Sequence, residues 1–211
     1  MFRTRFHARL LHHFALGASS IALAVLFMEF FPKRDFISRL SVGTAYPALF
    51  LTATALLLGP LNVLLHKSNP LSFDLRRDTG IWAGIMALIH TTIGLNVHLR
   101  GRMWLYFVQE DHSIRRDAFG FANYTGAAAV LIFALLLSLS NDWSLRRFGA
   151  KRWKSLQRWT YAAAALTAAH AVAYEHVEDR VFPLRLVLYG VLGSILVLQI
   201  AGVFKRLLRR E

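Results

Sequence analysis

The sequence predicts an all-α membrane protein, a six-transmembrane-helix bundle with both termini cytoplasmic, built as one domain over residues 1–211. Three observations carry this prediction. The chain is 55% hydrophobic with a mean hydropathy of +0.41, more apolar than an ordinary soluble domain of this length. Its apolar runs recur at about the 20 residues a helix needs to cross about 30 Å of hydrocarbon. The runs also lack period-two alternation, and only helices or closed barrels satisfy every backbone polar group in lipid, so the runs are read as helices.

The first run, 10–31, follows Arg3, Arg5 and Arg9 and ends in "MEFFPKRD". No small-residue cleavage site stands there, so the run is read as a span and not a cleaved signal peptide. "FFPKRDF" turns the chain into the second run, 40–65. "HKSNPLSFDLRRD" leads to the third, 79–99, with Pro70 as breaker and Asp78 as the expected N-cap. The longest connection, "RGRMWLYFVQEDHSIRRDAFG", carries in Met103–Phe107 the aromatics expected at a membrane surface, and precedes the fourth run, 120–140. "SNDWSLRRFGAKRWKSLQRW" is basic and amphipathic, which predicts a short helix lying along the headgroups. The fifth run, 159–174, is the shortest and needs its flanks to complete a span; the sixth covers 183–204.

Charge sets the orientation. Of the 25 Lys and Arg residues, sixteen fall on the side of the N-terminus, among them Arg9, Arg76, Arg77, Arg146, Arg147 and Arg158, and nine on the other. The positive-inside rule then places both termini in the cytoplasm. Acidic residues lean outward, as at Asp35, Glu110, Asp111, Asp117, Glu175, Glu178 and Asp179. The net charge of +13 is therefore read as topology plus attraction to anionic membrane lipid, and nucleic acid is not an expected partner. The chain has no cysteine, which excludes disulfides, iron–sulfur clusters and thiolate metal sites. No glycine-rich fingerprint follows a strand, so a fused dinucleotide-binding domain is not expected. Against a transporter, no helix carries a central carboxylate or the Gly/Pro-broken pair typical of substrate sites.

Nine histidines are present. His7, His12, His13 and His66 lie near inner helix ends and His112 in an outer loop, where solvated imidazoles are ordinary. His90 and His170 lie within apolar runs, where an unsatisfied imidazole costs free energy. They follow Arg77 and Arg158 at nearly the same spacing on two runs that cross in one direction, so both sit roughly 18–20 Å from the inner boundary. Two imidazoles at one level can clamp a planar ligand. Haem suits that arrangement, and filling both axial positions of its iron favours electron transfer over oxygen chemistry. Ala83, Gly84, Ala87 and Gly94 near His90, and Ala163, Ala169 and Ala173 near His170, would let a porphyrin approach the backbone. The same small residues serve helix packing in membranes, and two histidines can instead bond to carbonyls or to each other. Spacing alone leaves both readings open.

"LLLGPL" (56–61), "LRRDTGIWAGIMALIH" (75–90), "SNDWSLRRFGAKRWKSLQRWTY" (140–161) and "AAH" (168–170) are similar to the ferric-reductase-like transmembrane domain family. Within it they resemble the haem-binding membrane subunits of bacterial periplasmic methionine sulfoxide reductase systems. The resemblance covers about residue 40 to the C-terminus. It implies a b-type cytochrome of the bacterial inner membrane, an electron-transfer subunit more than a stand-alone enzyme. Its donor would be the quinol pool or a flavin reductase, its acceptor a periplasmic oxidoreductase such as a methionine sulfoxide reductase. His90 and His170 would be the axial ligands of the haem iron.

The sequence departs from the pattern at Gln157, in "SLQRW", where family members commonly have a second histidine, and at Trp104, where two-haem members place another. One haem b is therefore expected. His98 and His176 lie only about 9–12 Å beyond the first pair and are read as interfacial polar groups more than as ligands of a second haem. Arg100 and Arg102, or Arg115 and Arg116, are expected at the propionates. Gln157, with Trp153, Trp159 and Tyr161, is expected near a bound quinone, or Arg76 and Arg77 near the phosphate of an FMN. Two further readings stay open: a haem reductase acting directly on ferric iron or another small acceptor, and a non-redox polytopic protein such as a transporter.

Overall fold

The computed structural model describes residues 2–32, 34–65, 73–99, 102–178 and 182–208. Among them are seven α-helices: α1 (Phe2–Met28), α2 (Phe36–Leu64), α3 (Phe73–Gly94), α4 (Ala118–Leu139), α5 (Asp142–Gln157), α6 (Trp159–Glu178) and α7 (Phe182–Leu208), with a 3-10 turn at Met103–Tyr106. Side-chain caps fix several of the starts. Asp35 accepts from the Ser38 N–H at 3.0 Å, Asp117 from Gly120 at 2.7 Å and Asn141 from Ser144 at 2.8 Å.

Four helices, over Phe6–Met28, Phe36–Leu64, Ala118–Leu139 and Phe182–Leu208, are long and apolar enough to cross a membrane. The expected third and fifth runs are helical, as α3, of 22 residues, and α6, of 20, but are less apolar and are not among these four. These two carry His90 and His170. The short fifth run gains its length by continuing through Tyr174 to Glu178. The basic connection is the helix α5, broken at Gly149, whose φ of 72° is open to glycine at little cost.

The expected cap of α3 is corrected. The helix begins at Phe73, and Asp78 is an interior residue with 0% exposure. Its carboxylate turns to α1, where Arg9 donates to Oδ1 at 2.8 and 3.2 Å, with His12 Nδ1 at 3.2 Å from Oδ2 and His13 Nε2 at 3.4 Å from Oδ1. A buried carboxylate needs such partners more than a helix start needs a cap. Pro70, expected to break the chain, lies outside the described residues.

The long helices alternate in direction. One end of the bundle gathers Arg9 with Asp78, Arg77 with the Ser140 carbonyl, and Lys205 with the Leu64 carbonyl. The opposite end gathers Arg34 with Glu178 and Arg39 with Glu29. Packing is organised by α2, which lies against α1, α3 and α7, while α4 and α6 pack together. Small residues set the closest approaches: a Cβ on Gly43 would stand 2.6 Å from the Ala24 carbonyl oxygen. Two apolar clusters result. One stacks Phe27 on Tyr46, with ring centres 4.1 Å apart, against Val42 and Leu184. The other joins Ala48, Leu51, Ala83, Met86, Ala87, Phe133 and Ala163 from α2, α3, α4 and α6.

Candidate functional site

A cavity of about 340 Å³ opens among these helices, and both mid-helix histidines line it. α3 presents His90 and α6 presents His170, with ring centres 6.1 Å apart and planes at 74°. The level placement expected from their spacing is what brings them together.

Each ring is oriented by a backbone carbonyl of a neighbouring helix. His90 Nδ1 lies 3.0 Å from the Ser41 oxygen on α2, and His170 Nδ1 lies 2.8 Å from the Ala122 oxygen on α4. A carbonyl only accepts, so each Nδ1 bears the proton and each Nε2 bears the lone pair that can coordinate a metal. Metal-ligating histidines are characteristically held in this way. The two carbonyls are also matched in a second respect. Ser41 O accepts from the Thr44 hydroxyl at 3.0 Å, and Ala122 O from the Thr125 hydroxyl at 2.9 Å.

The seat of His170 depends on Gly126 of α4. A Cβ there would stand 2.5 Å from Nδ1 and 2.8 Å from Cε1 of the ring. Tyr174 completes the seat, its ring centre 5.0 Å from that of His170 and its hydroxyl donating to Asn123 Oδ1 at 2.8 Å.

This pair suits a metal that brings its other ligands with it. Two imidazoles bound on opposite sides of one metal, with bonds of about 2 Å and ring radii of about 1.1 Å, would have centres about 6.2 Å apart. The observed 6.1 Å agrees. Among the described residues no group of three or more His, Asp or Glu could hold a bare ion. A porphyrin, which supplies four in-plane nitrogens, fits a two-histidine set where a free cation does not. The apolar residues of the wall fit its faces.

The small residues divide between two tasks. Of the expected set Ala87 and Gly94 line the cavity, whereas Ala83 and Ala163 are buried in the cluster around Phe133, Gly84 faces Leu137 of α4, and Ala169 and Ala173 are not on the wall, where Ala171 stands instead. The packing role thus claims part of the set that spacing had suggested for the ligand.

At one end the cavity wall becomes polar. His98 Nε2 lies 3.2 Å from Glu178 Oε1, and Arg34 Nη1 lies 2.5 Å from Glu178 Oε2; all three residues line the cavity. Arg34 also lies over the Phe31 ring at 5.2 Å. Tyr106 anchors the turn after α3, accepting from the His98 backbone N–H at 2.8 Å and donating to the Gly94 carbonyl at 2.9 Å. Burial pushes its phenol above the ordinary value of 10.0, which keeps that donor protonated.

The remaining expected residues lie elsewhere. Arg102 pairs with Glu110 at 3.2 Å on the exposed surface and is not on the cavity wall; Arg100 lies outside the described residues. His176 is exposed. Gln157 stands at the junction of α5 and α6, and its Nε2 is a buried donor with no acceptor among the described residues. Sequence reasoning had missed Gly126, Ala122, Ser41 and Arg34 as parts of the site. Arg34 was legible only as one cation of the same outer group as Arg100 and Arg102.

Fold and site together define a polytopic helical membrane bundle with two carbonyl-anchored imidazoles on one cavity. The comparisons with known proteins agree with that class. The chain belongs to the family described as ferric reductase like transmembrane component, whose family model matches residues 38–168. That stretch runs from α2 into α6, includes His90 and ends two residues before His170. The chain is similar to the protein-methionine-sulfoxide reductase heme-binding subunit MsrQ of Azospira oryzae, at 34% identity over 101 residues. The aligned part is 47% of this chain and 42% of that relative, so the chain spans less than half of the relative's length. No solved structure matches.

Proposed function

We propose that this protein is a membrane cytochrome b, an electron-transfer subunit that carries electrons across the bacterial inner membrane to an oxidoreductase on the periplasmic side. The observation that carries the reading is the matched pair of histidines, each with Nδ1 tied to a main-chain carbonyl and the rings 6.1 Å apart on one cavity. His90 and His170 would hold one haem b through Nε2. Such a haem would supply a one-electron carrier at the level of the two histidines.

The chain's own residues do the rest. The carbonyls of Ser41 and Ala122 fix the tautomer of each imidazole and raise its basicity. The apolar walls keep water from the site, and the cluster around Phe133 closes the bundle on its α5 side. The bias of Lys and Arg supports a cytoplasmic position for α5 and both termini. Electrons would then enter from that side, from quinol or from a flavin reductase. Gln157 Nε2, buried and lacking an acceptor, suits a quinone or FMN carbonyl, and the exposed Arg146, Arg147, Lys151 and Arg152 of α5 suit a phosphate or an acidic reductase. The name of the Azospira relative supports a methionine sulfoxide reductase as the acceptor.

The test is a dithionite-reduced minus oxidised spectrum of the purified protein with haem quantified per chain, beside His90→Ala and His170→Ala. About one b-type haem per chain, lost in both variants, is expected. Colourless protein after haem-replete expression would refute the reading.

A further inference from the structure

We infer that Arg34 and His98, held on the cavity wall by Glu178, form the seat for the two carboxylates of the bound porphyrin. This inference rests on the haem reading above and assigns the polar end of the same cavity.

The argument starts from the ligand's chemistry. An iron porphyrin of the b type has two apolar faces and two carboxylate arms on one edge. Inside an apolar cavity the arms need donors or water, because an unpaired buried carboxylate is costly. Among the described residues Arg34 is the one Lys or Arg on the cavity wall, and Glu178 the one acid. Glu178 lies eight residues beyond His170 on the continuous helix α6, about 12 Å along its axis. Glu178 is therefore on the helix of His170, further along and toward the end of the bundle where Arg34 and Arg39 gather.

The cluster has the right composition for an acceptor of carboxylates. Arg34 presents five N–H donors in a planar fork, so it can serve Glu178 and a second carboxylate together. Its side chain is 37% exposed, against 15% for Glu178, which places the guanidinium at the opening and the acid behind it. The ring of Phe31 supports the guanidinium from one side, and the Tyr106 hydroxyl holds the His98 backbone. Glu178 contacts both basic side chains, one through each carboxylate oxygen, and fixes their direction. Arg102, by contrast, is spent on Glu110 at a half-exposed position off the wall.

The experiment compares haem b with its dimethyl ester, which has the same iron and faces but no carboxylate charge. Full-length apoprotein in detergent is titrated with each, for the wild type, Arg34→Gln, Arg34→Lys, His98→Gln and Arg102→Gln. The wild type should prefer haem over the ester by about tenfold, the equivalent of one charge-assisted hydrogen bond. Arg34→Gln and His98→Gln should shrink that preference while still binding the ester as the wild type does, and Arg34→Lys should keep part of it. A general loss of packing would weaken both ligands alike and would overturn the assignment. So would an unchanged preference in Arg34→Gln and His98→Gln, or a preference lost only in Arg102→Gln. Failure of the wild type to bind either porphyrin would overturn the haem reading itself.

Discussion

Replacing Gly126 by alanine separates the site from the fold. The new Cβ would lie 2.5 Å from His170 Nδ1, where ordinary contact begins near 3.4 Å, so the ring must retreat by about 0.9 Å. It has little room to do so, with its Nδ1 on the Ala122 carbonyl at 2.8 Å and Tyr174 at its flank. Overpacking of this kind costs about 1–3 kcal/mol and a lost hydrogen bond about 1 kcal/mol. Together, about 2–4 kcal/mol corresponds to roughly a 30- to 1000-fold loss of haem affinity. The helix itself gains, because alanine is favoured over glycine in a helix interior by about 1 kcal/mol. Haem titration of the apoprotein should therefore show much weaker binding, while circular dichroism melting of the apoprotein, in which the ring can turn toward the cavity and part of the cost is offset by the helical gain, falls by less than the same free energy. Gly84→Ala is the control, since its Cβ would meet Leu137 at an ordinary 3.5 Å. Unchanged haem affinity in Gly126→Ala would refute the view that this glycine makes the seat of His170.

The polar end contacts opposite the cavity mouth lead to two further predictions. Asp78→Ala leaves Arg9 without its buried carboxylate partner and should lower the stability of the bundle by about 3–5 kcal/mol, read by thermal unfolding in detergent; an effect below about 1 kcal/mol would contradict the tie to α1. The Asp142 carboxyl is held below its ordinary 3.8 by the Arg77 guanidinium, which donates to it at 2.6 Å. A depressed carboxyl contributes stability above its unfolded value and loses it as pH falls through the folded one, so the stability gap between the wild type and Asp142→Asn should be constant above about pH 5 and close below 3.8. The effect is small because Asp142 is 60% exposed, and a gap that widened on acidification would reverse the sign of the argument.

Much of the architecture was legible because apolar run length is a direct consequence of bilayer thickness. The two less apolar helices, α3 and α6, were still readable as apolar runs near span length, the second only with its flanks. Their pairing was readable from depth alone, since helical rise converts residue count into height. Asp78 was misread because it stands before "TG", just where an N-cap would stand, and its true partners on α1 are almost 70 positions away in the chain. The supports of the rings were hidden for another reason. A carbonyl has no letter in the sequence, so nothing marked Ser41 or Ala122, and a glycine in an alanine-rich run such as "TGAAA" reads as packing. Arg34 could be grouped with the outer cations but not singled out, because its place on the wall is set by Glu178, 144 positions further along the chain.

The carbonyl supports of the two imidazoles have a bearing on how such a site withstands mutational drift. Were the acceptors side chains, one base change could delete either of them. As main-chain oxygens they survive every substitution at Ser41 or Ala122 that leaves the helix in place. The orientation of both rings is thus shielded from chemical loss and vulnerable only to steric displacement, so damaging variants should concentrate at the spacers that set helix distance and, at the fully buried Ala122, among side chains larger than alanine.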